Sequence, residues 1–245
     1  MGELAIVTGA GSGIGRALAR ELDSLGYSVV AVGRHRQTLE STAEGSRRVR
    51  PLIADVATVD GRVAVTEEVG NQRLAVLVHN AGRLEPVGDL AGIDHADWRQ
   101  TMAVNLEAPL FLTQALLHAL MEGGRVLHIS SGAAHRAVRG WGAYVATKAG
   151  AYMVYRLLAE ELGERGVHVG SLRPGVVDTP MQEHIRSLPV ERFPDVGRFR
   201  ALKEDGALVA PADVARFAAR LLRDVSDERF RSGEWDIREH WHALA

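Results

Sequence analysis

The stretch LAIVTGAGSGIGRALA, Leu4 to Ala19, passes from an aliphatic run into four alternating glycines and then into a helix-like segment. Glycines let a backbone turn tightly and come close to a ligand, and the free amides of the following helix N-terminus suit a pyrophosphate. The strict G-x-G-x-x-G pattern fails, because counting from Gly9 and Gly11 puts Ile14 where the third glycine belongs. What fits is T-G-x-x-x-G-x-G on Thr8, Gly9, Gly13 and Gly15, with Ser12 and Ile14 inside the same turn. A tight strand-to-helix turn would also favour glycine, but a glycine loop directly after the first strand predicts a dinucleotide site.

Working outward, short aliphatic or β-branched runs recur at Leu4–Thr8, Ser28–Gly33, Pro51–Ala54, Leu74–His79, Arg125–Ser130 and Val167–Leu172. Segments with helical spacing lie between or after them, near 14–25, 36–44, 58–69, 96–120, 143–164 and 211–223. Strands that read as continuous apolar runs and alternate with helices predict a parallel sheet buried on both faces. The expected fold is therefore α/β, a doubly wound Rossmann-like sheet with helices on both sides. No linker or repeat divides the chain, so one domain over 1–245 is expected. The rhythm breaks near 175–210, which holds Pro180, Pro189 and Pro194 and reads as a substrate loop or lid.

The bulk numbers exclude several functions. A formal net charge of −2 and a pI near 6.6 give no general attraction to nucleic acid or an anionic membrane. The chain has no cysteine, which removes disulfides, thiolate metal sites and a cysteine nucleophile. No metal site is expected. No apolar stretch approaches the roughly 18 residues of a membrane span, and the first residues lack a signal-peptide pattern, so a cytoplasmic location is expected.

The second strand should end near Gly33, where NAD-binding sheets place an acid for the adenosine 2′-hydroxyl. Here Arg34, His35 and Arg36 follow instead, and no acid lies between Asp23 and Glu40. A planar guanidinium at Arg34 suits a 2′-phosphate, which favours NADP(H). An exposed basic turn is the plain alternative. Asp55 and Val56 end the third strand and are expected beside the adenine.

Only two of the 29 basic residues are lysines, Lys148 and Lys203. Lys148 follows Tyr144 by four positions, so on a helix the two stand one turn apart. A compact ammonium beside a phenol favours phenolate and lowers the tyrosine pKa, giving a proton donor or acceptor near neutrality. Ser131 ends the fifth strand, where doubly wound sheets bind ligands, and its hydroxyl could hold a carbonyl oxygen beside the phenol. Asn80, Ala81 and Gly82 follow the fourth strand and would allow close backbone approach to a cofactor. Asn105 is a poor helix former inside a helical stretch, which suggests that its amide caps a kink or anchors a water.

Together these residues resemble the short-chain dehydrogenase/reductase family across essentially the whole chain. The matches are the glycine loop, Asn80-Ala81-Gly82, Asn105, Ser131, Tyr144-x-x-x-Lys148 and Pro174-Gly175. Two positions depart from the family's habit: His79 stands where Asn is more usual, and Ser12 where NADP users often carry a basic residue. The resemblance implies that Tyr144 is the general acid, that Ser131 orients the carbonyl, and that Lys148 bonds the nicotinamide ribose and lowers the tyrosine pKa. It further implies a relay water on Asn105, a carboxamide contact at Thr179, and cofactor contacts at Pro174 and Val177. Segments such as HISSGAAHRAVRGWGAY look like the branch containing benzil reductase and sepiapterin reductase, whose substrates tend to carry adjacent carbonyls. The spacing to Asp236 is one residue short of that branch's ending, and no role is assigned to it.

The expectation is thus an NADPH-dependent carbonyl reductase of a vicinal diketone or aryl ketone, with Trp141, Leu84, Met181 and Phe193 as pocket walls or core. An alcohol dehydrogenase of the same fold and a non-catalytic dinucleotide sensor are the alternatives. A homodimer or homotetramer is expected, paired through the helices near 96–120 and 143–164.

Overall fold

A computed structural model describes residues 2–243; Met1, Leu244 and Ala245, at the ends of the expected domain, lie outside the described residues. Seven strands form one sheet: β1 (Leu4–Thr8), β2 (Ser28–Gly33), β3 (Val49–Ile53), β4 (Leu74–His79), β5 (Gly124–Ile129), β6 (Val167–Arg173) and β7 (Glu234–Asp236). Their order is β3-β2-β1-β4-β5-β6-β7, and every neighbouring pair is parallel. The chain reverses its direction of travel across the sheet between β1 and β4, and doubly wound sheets bind ligands at such a switch point.

The helices are α1 (Gly13–Ser24), α2 (Arg36–Ala43), α3 (Val59–Val69), α4 (His95–Met102), α5 (Ala108–Ala115), α6 (Leu117–Leu120), α7 (Gly142–Gly163), α8 (Pro180–Ser187), α9 (Val196–Glu204) and α10 (Pro211–Arg223), followed by the short α11 (Asp227–Arg231) and α12 (Ile237–His240). One apolar core, including Leu18, Val29, Phe217 and Leu221, packs α1 and α10 on one sheet face. A second, including Ile6, Leu77, Leu112, Val126 and Tyr155, packs the opposite face. Because strand side chains alternate between faces, both layers draw on the same strands.

Three expectations need correction. The helix expected over 96–120 is broken: a π-turn at Ala103–Glu107 separates α4 from α5, and α6 follows as a further short helix. The buried Asn105 sits inside that π-turn, so its amide marks a break rather than decorating a regular helix. The segment 175–210 is not an open loop, since α8 and α9 fold there. They share a third apolar core with the front of α7, built from Leu84, Trp141, Ile185, Leu188, Phe193, Val196 and Phe199. Finally, β7 went unforeseen, being only three residues long.

Candidate active site

At the C-terminal ends of β1 and β4 the Thr8 hydroxyl joins the two strands. It donates to the Val78 carbonyl at 3.0 Å and accepts from the amides of Asn80 at 3.0 Å and Ala81 at 3.1 Å. The Asn80 amide group then donates to the carbonyls of Thr8 and Gly9. The turn fits no larger residue at two positions. Gly9 has φ +66°, and a Cβ there would stand 2.8 Å from the Ala81 Cα. A Cβ on Gly15 would lie 2.3 Å from the Gly9 carbonyl oxygen.

This turn opens onto a cleft of about 450 Å³ that runs across the switch point. It is lined by Gly9, Ser12, Gly13 and Ile14 at the turn, by Arg34, Asp55 and Val56 at the ends of β2 and β3, and by Asn80, Ala81 and Gly82 after β4. Ser131, Tyr144, Lys148, Pro174, Val177 and Thr179 line the other half. Of the residues expected in the site, Gly15 lies just behind this lining and Asn105 faces a separate, smaller cavity. Asp55 commits one carboxylate oxygen to the Ala57 amide at 3.0 Å. Thr179 caps α8, accepting from the Gln182 amide.

The expected dinucleotide can be tested against this geometry. Ser12 precedes α1 without a capping hydrogen bond from its side chain, and the first turn of that helix carries no acid. Free amides without a competing carboxylate suit a phosphate. At the far end Arg34 is exposed and makes no hydrogen bond or ion pair among the described residues. The shape of the cleft and its bare helix end fit a dinucleotide.

The reacting end is built on α7 and the end of β5. Tyr144 is buried beneath Trp141, whose ring meets it edge-on at 5.7 Å between centroids. Lys148 lies one turn on, its Nζ 5.8 Å from the Tyr144 ring centroid and donating to the Ile129 carbonyl at 2.9 Å. Burial lowers the Lys148 ammonium from 10.5 to about 8, partly opposed by the Glu234 carboxylate. Burial also holds the Tyr144 phenol above its ordinary value, while its hydrogen bond to Ser131 pulls it down. The expected lowering of the phenol by Lys148 is not what this arrangement produces: burial is the larger cause, the Ser131 bond the smaller, and the phenol stands above its ordinary value.

Asn105 brings its amide to the backbone of Arg83. Its Oδ1 accepts from the Arg83 amide at 2.8 Å, and its Nδ2 donates to the Arg83 carbonyl at 2.8 Å and to the Thr147 hydroxyl at 3.0 Å. With both donors and the oxygen engaged, the side chain holds the loop after Gly82 against α7.

Leu84, Trp141 and Met181 line the cleft as expected. Phe193 does not: it is fully buried behind Trp141, stacked on that ring at 4.9 Å with 9° between planes, and is core. Phe199, Ile185, Gln182, Arg136 and Arg198 also face the cleft and were not foreseen, because their positions depend on how α8 and α9 fold back. Asp236 is fully buried and bound by Arg238 and Arg173, so it is a structural acid of the sheet edge.

The sequence matches the profile of the family described as short chain dehydrogenase over residues 3–189. A benzil reductase ((S)-benzoin forming) of Bacillus cereus is 33% identical over 243 residues, covering 94% of this chain and 96% of that one. A D-threitol dehydrogenase of Mycolicibacterium smegmatis is 36% identical over 192 residues, covering 74% and 72%. Among solved structures, that of a variant of the actinorhodin polyketide ketoreductase with NADPH superposes with a TM-score of 0.79 at 29% identity, covering 96% of this chain and 95% of that one.

Proposed function

The chain belongs to the short chain dehydrogenase family, oxidoreductases of C=O and CH–OH groups, and from that premise we propose that it is an NADPH-dependent reductase of a vicinal diketone or aryl ketone. The observation that carries this reading is Tyr144: a buried, protonated phenol bonded to Ser131, one helical turn from Lys148, in the same cleft as the glycine turn and Arg34.

The cofactor would be held by the turn from Gly9 to Gly15, by Arg34 at the 2′-phosphate, by Asp55 and Val56 at the adenine, and by Asn80 to Gly82, Lys148, Pro174, Val177 and Thr179 toward the nicotinamide. When bound, it supplies the hydride for the carbonyl carbon. Tyr144 donates its phenolic proton to the oxygen that gains charge in that step, and Ser131 orients the same oxygen through its hydroxyl. Lys148, near neutrality, can accept and return a proton without a large energetic cost, a property an arginine lacks. Trp141, Leu84, Phe199 and Met181 give the cleft apolar and aromatic walls suited to an aryl group.

The likeness to D-threitol dehydrogenase favours a second reading, oxidation of a polyol on the same residues. A spectrophotometric assay of nicotinamide turnover separates the two. The first reading expects NADPH oxidation with an aromatic vicinal diketone, lost by roughly 10²- to 10⁴-fold in Tyr144→Phe while NADPH still binds. Turnover confined to polyols with NAD+ would overturn it. Dinucleotide binding without turnover on any ketone or alcohol would mark a sensor.

A further inference from the structure

The cleft carries a one-sided charge. Arg34, Arg83, Arg136, Arg173, Arg198 and Arg238 all line it, and the one acid in the lining among the described residues is Asp55, at the expected adenine end. Three of these guanidinia already have partners. Arg83 meets Asp97 at 2.7 Å, Arg173 meets Glu234 and Asp236 at 3.2 Å each, and Arg238 donates to Asp236 at 2.9 Å. Arg34 follows β2, where the adenosine is expected. Arg136 and Arg198 remain. Both are exposed, and neither makes a hydrogen bond or ion pair among the described residues.

These two stand at the reacting end. Arg136 follows the short turn Gly132–His135 that Ser131 caps. Arg198 is on α9 beside Phe199, its guanidinium carbon 6.0 Å from that ring's centroid. Phe199 in turn lies 5.4 Å from Trp141, which meets Tyr144 edge-on. The other arginines of the same two segments, and Lys203, are tied down. Arg139 meets Asp89 at 3.7 Å, Arg186 meets Asp178 at 3.5 Å, Arg192 meets Glu85 at 3.4 Å and Lys203 meets Asp178 at 2.6 Å. Arg200 donates to the carbonyls of Arg186 and Leu188, each at 3.0 Å. The two left without a partner are thus the two that face the cleft. A random scatter of solvated side chains would leave free guanidinia on the outer faces as well.

Uncompensated positive charge in a cleft with apolar walls draws anions in and raises their local concentration. A guanidinium fork also matches the paired oxygens of a carboxylate or phosphate. A neutral ketone would use neither property. We propose that Arg136 and Arg198 bind an anionic group of the substrate, so that the ketone presented to Tyr144 belongs to an aryl keto acid or its phosphorylated counterpart. This rests on reading the cleft as a ketone-reductase site, and it narrows the substrate from any aryl ketone to an anionic one. Trp141, Leu84 and Phe199 take the apolar body, Tyr144 and Ser131 take the carbonyl, and the two guanidinia take the charge. Neither arginine acts on the reacting carbonyl; both set specificity.

The test pairs 3-benzoylpropionate with its methyl ester, which differ in charge and little in shape. Calorimetric titration into the protein saturated with NADP+ reads binding without turnover, with the dinucleotide's phosphate contacts already filled. The acid should bind at least tenfold more tightly than the ester at about 20 mM salt, and the margin should shrink at about 300 mM, because exposed charges are screened. The double variant Arg136→Gln, Arg198→Gln should lose this preference. Its affinity for the ester should stay within about twofold of wild type, which shows that the cleft is intact. In the NADPH assay the double variant should raise KM for the acid about tenfold and leave kcat within about twofold, because the contact is made equally in ground and transition states. The phosphonate analogue of the acid separates the two anions: stronger binding than the carboxylate assigns a phosphorylated ketone, weaker binding a keto acid. Equal binding of acid and ester overturns the anion site, as does a preference that survives in the double variant. Reduction of aromatic diketones without any preference for the acid would overturn the anion site and leave the reductase reading standing. Arginine-dependent binding of the acid with no turnover of any ketone would do the reverse.

Discussion

Asn105 grips both backbone polar groups of Arg83, accepting from its amide and donating to its carbonyl, each at 2.8 Å. The grip spans a long sequence separation and fixes the loop after Gly82 to the π-turn and, through Thr147, to α7. Asn105→Ala should leave buried partners unsatisfied at about 1–3 kcal/mol each. Urea unfolding should therefore show a loss on the order of 3 kcal/mol. Asn105→Asp should not rescue it, because a carboxylate can still accept from Arg83 but would face its carbonyl and the Thr147 hydroxyl without two N–H groups. Stability of either variant within about 0.5 kcal/mol of wild type would contradict this account.

Lys148 sets two pH dependences. Its folded-state pKa, about 8, lies below the ordinary 10.5, so the native protein prefers the amine. For reduction the ammonium form of Lys148 is the one that can return a proton to Tyr144, and kcat/KM should be level below about pH 8 and fall above it. For stability the sign is opposite. Burying the ammonium costs free energy in full below about pH 8, and the cost is relieved as pH rises toward 10.5. The stability of wild type relative to Lys148→Met should increase by roughly 1–2 kcal/mol between about pH 8 and pH 10, softened by partial solvent access. A difference independent of pH would mean that Lys148 is not desolvated in the folded protein.

The alternation of strands and helices, the glycine turn and the Tyr144–Lys148 spacing were legible because each is a local pattern: apolar strands, small residues at a turn, residues four apart on one helix. The helices within 175–210 were not, since α8 and α9 are short and gain their stability from burying Ile185, Phe193 and Phe199 against Trp141, contacts that no local period encodes. The same limit explains Phe193, which the sequence leaves open between pocket wall and core and which is stacked core. The phenol's pKa also depends on depth of burial, which the i, i+4 spacing does not carry.

Arg34 is the arginine at the end of β2 that faces the cleft without a partner among the described residues, for Arg36 is drawn toward Glu40 at 3.8 Å. If it reads a 2′-phosphate, its charge-assisted bonds contribute about 1.5–3 kcal/mol to binding. Arg34→Asp should then weaken NADPH roughly 10- to 100-fold and improve NADH, whose 2′-hydroxyl a carboxylate can accept from. Fluorescence titration with both nucleotides gives the ratio directly. An unchanged preference would remove Arg34 from the cofactor site.

Gly15 separates the requirement for a tight turn from the requirement for a flexible one. Its φ is not in the left-handed region, so alanine costs nothing in backbone conformation there. The obstacle is space alone: the new Cβ would stand 2.3 Å from the Gly9 carbonyl oxygen and 2.4 Å from the Asn80 Nδ2. The first is backbone, and the second is held by its bonds to Thr8 and Gly9, so neither can yield without moving the turn. Gly15→Ala should therefore cost about 1–3 kcal/mol of stability by overpacking. Because the displaced atoms are those that shape the turn, NADPH affinity should fall at least tenfold more than in Gly197→Ala, a glycine on α9 with open space around it. Equal affinities in the two variants would show that the turn does not form the phosphate end of the cofactor site.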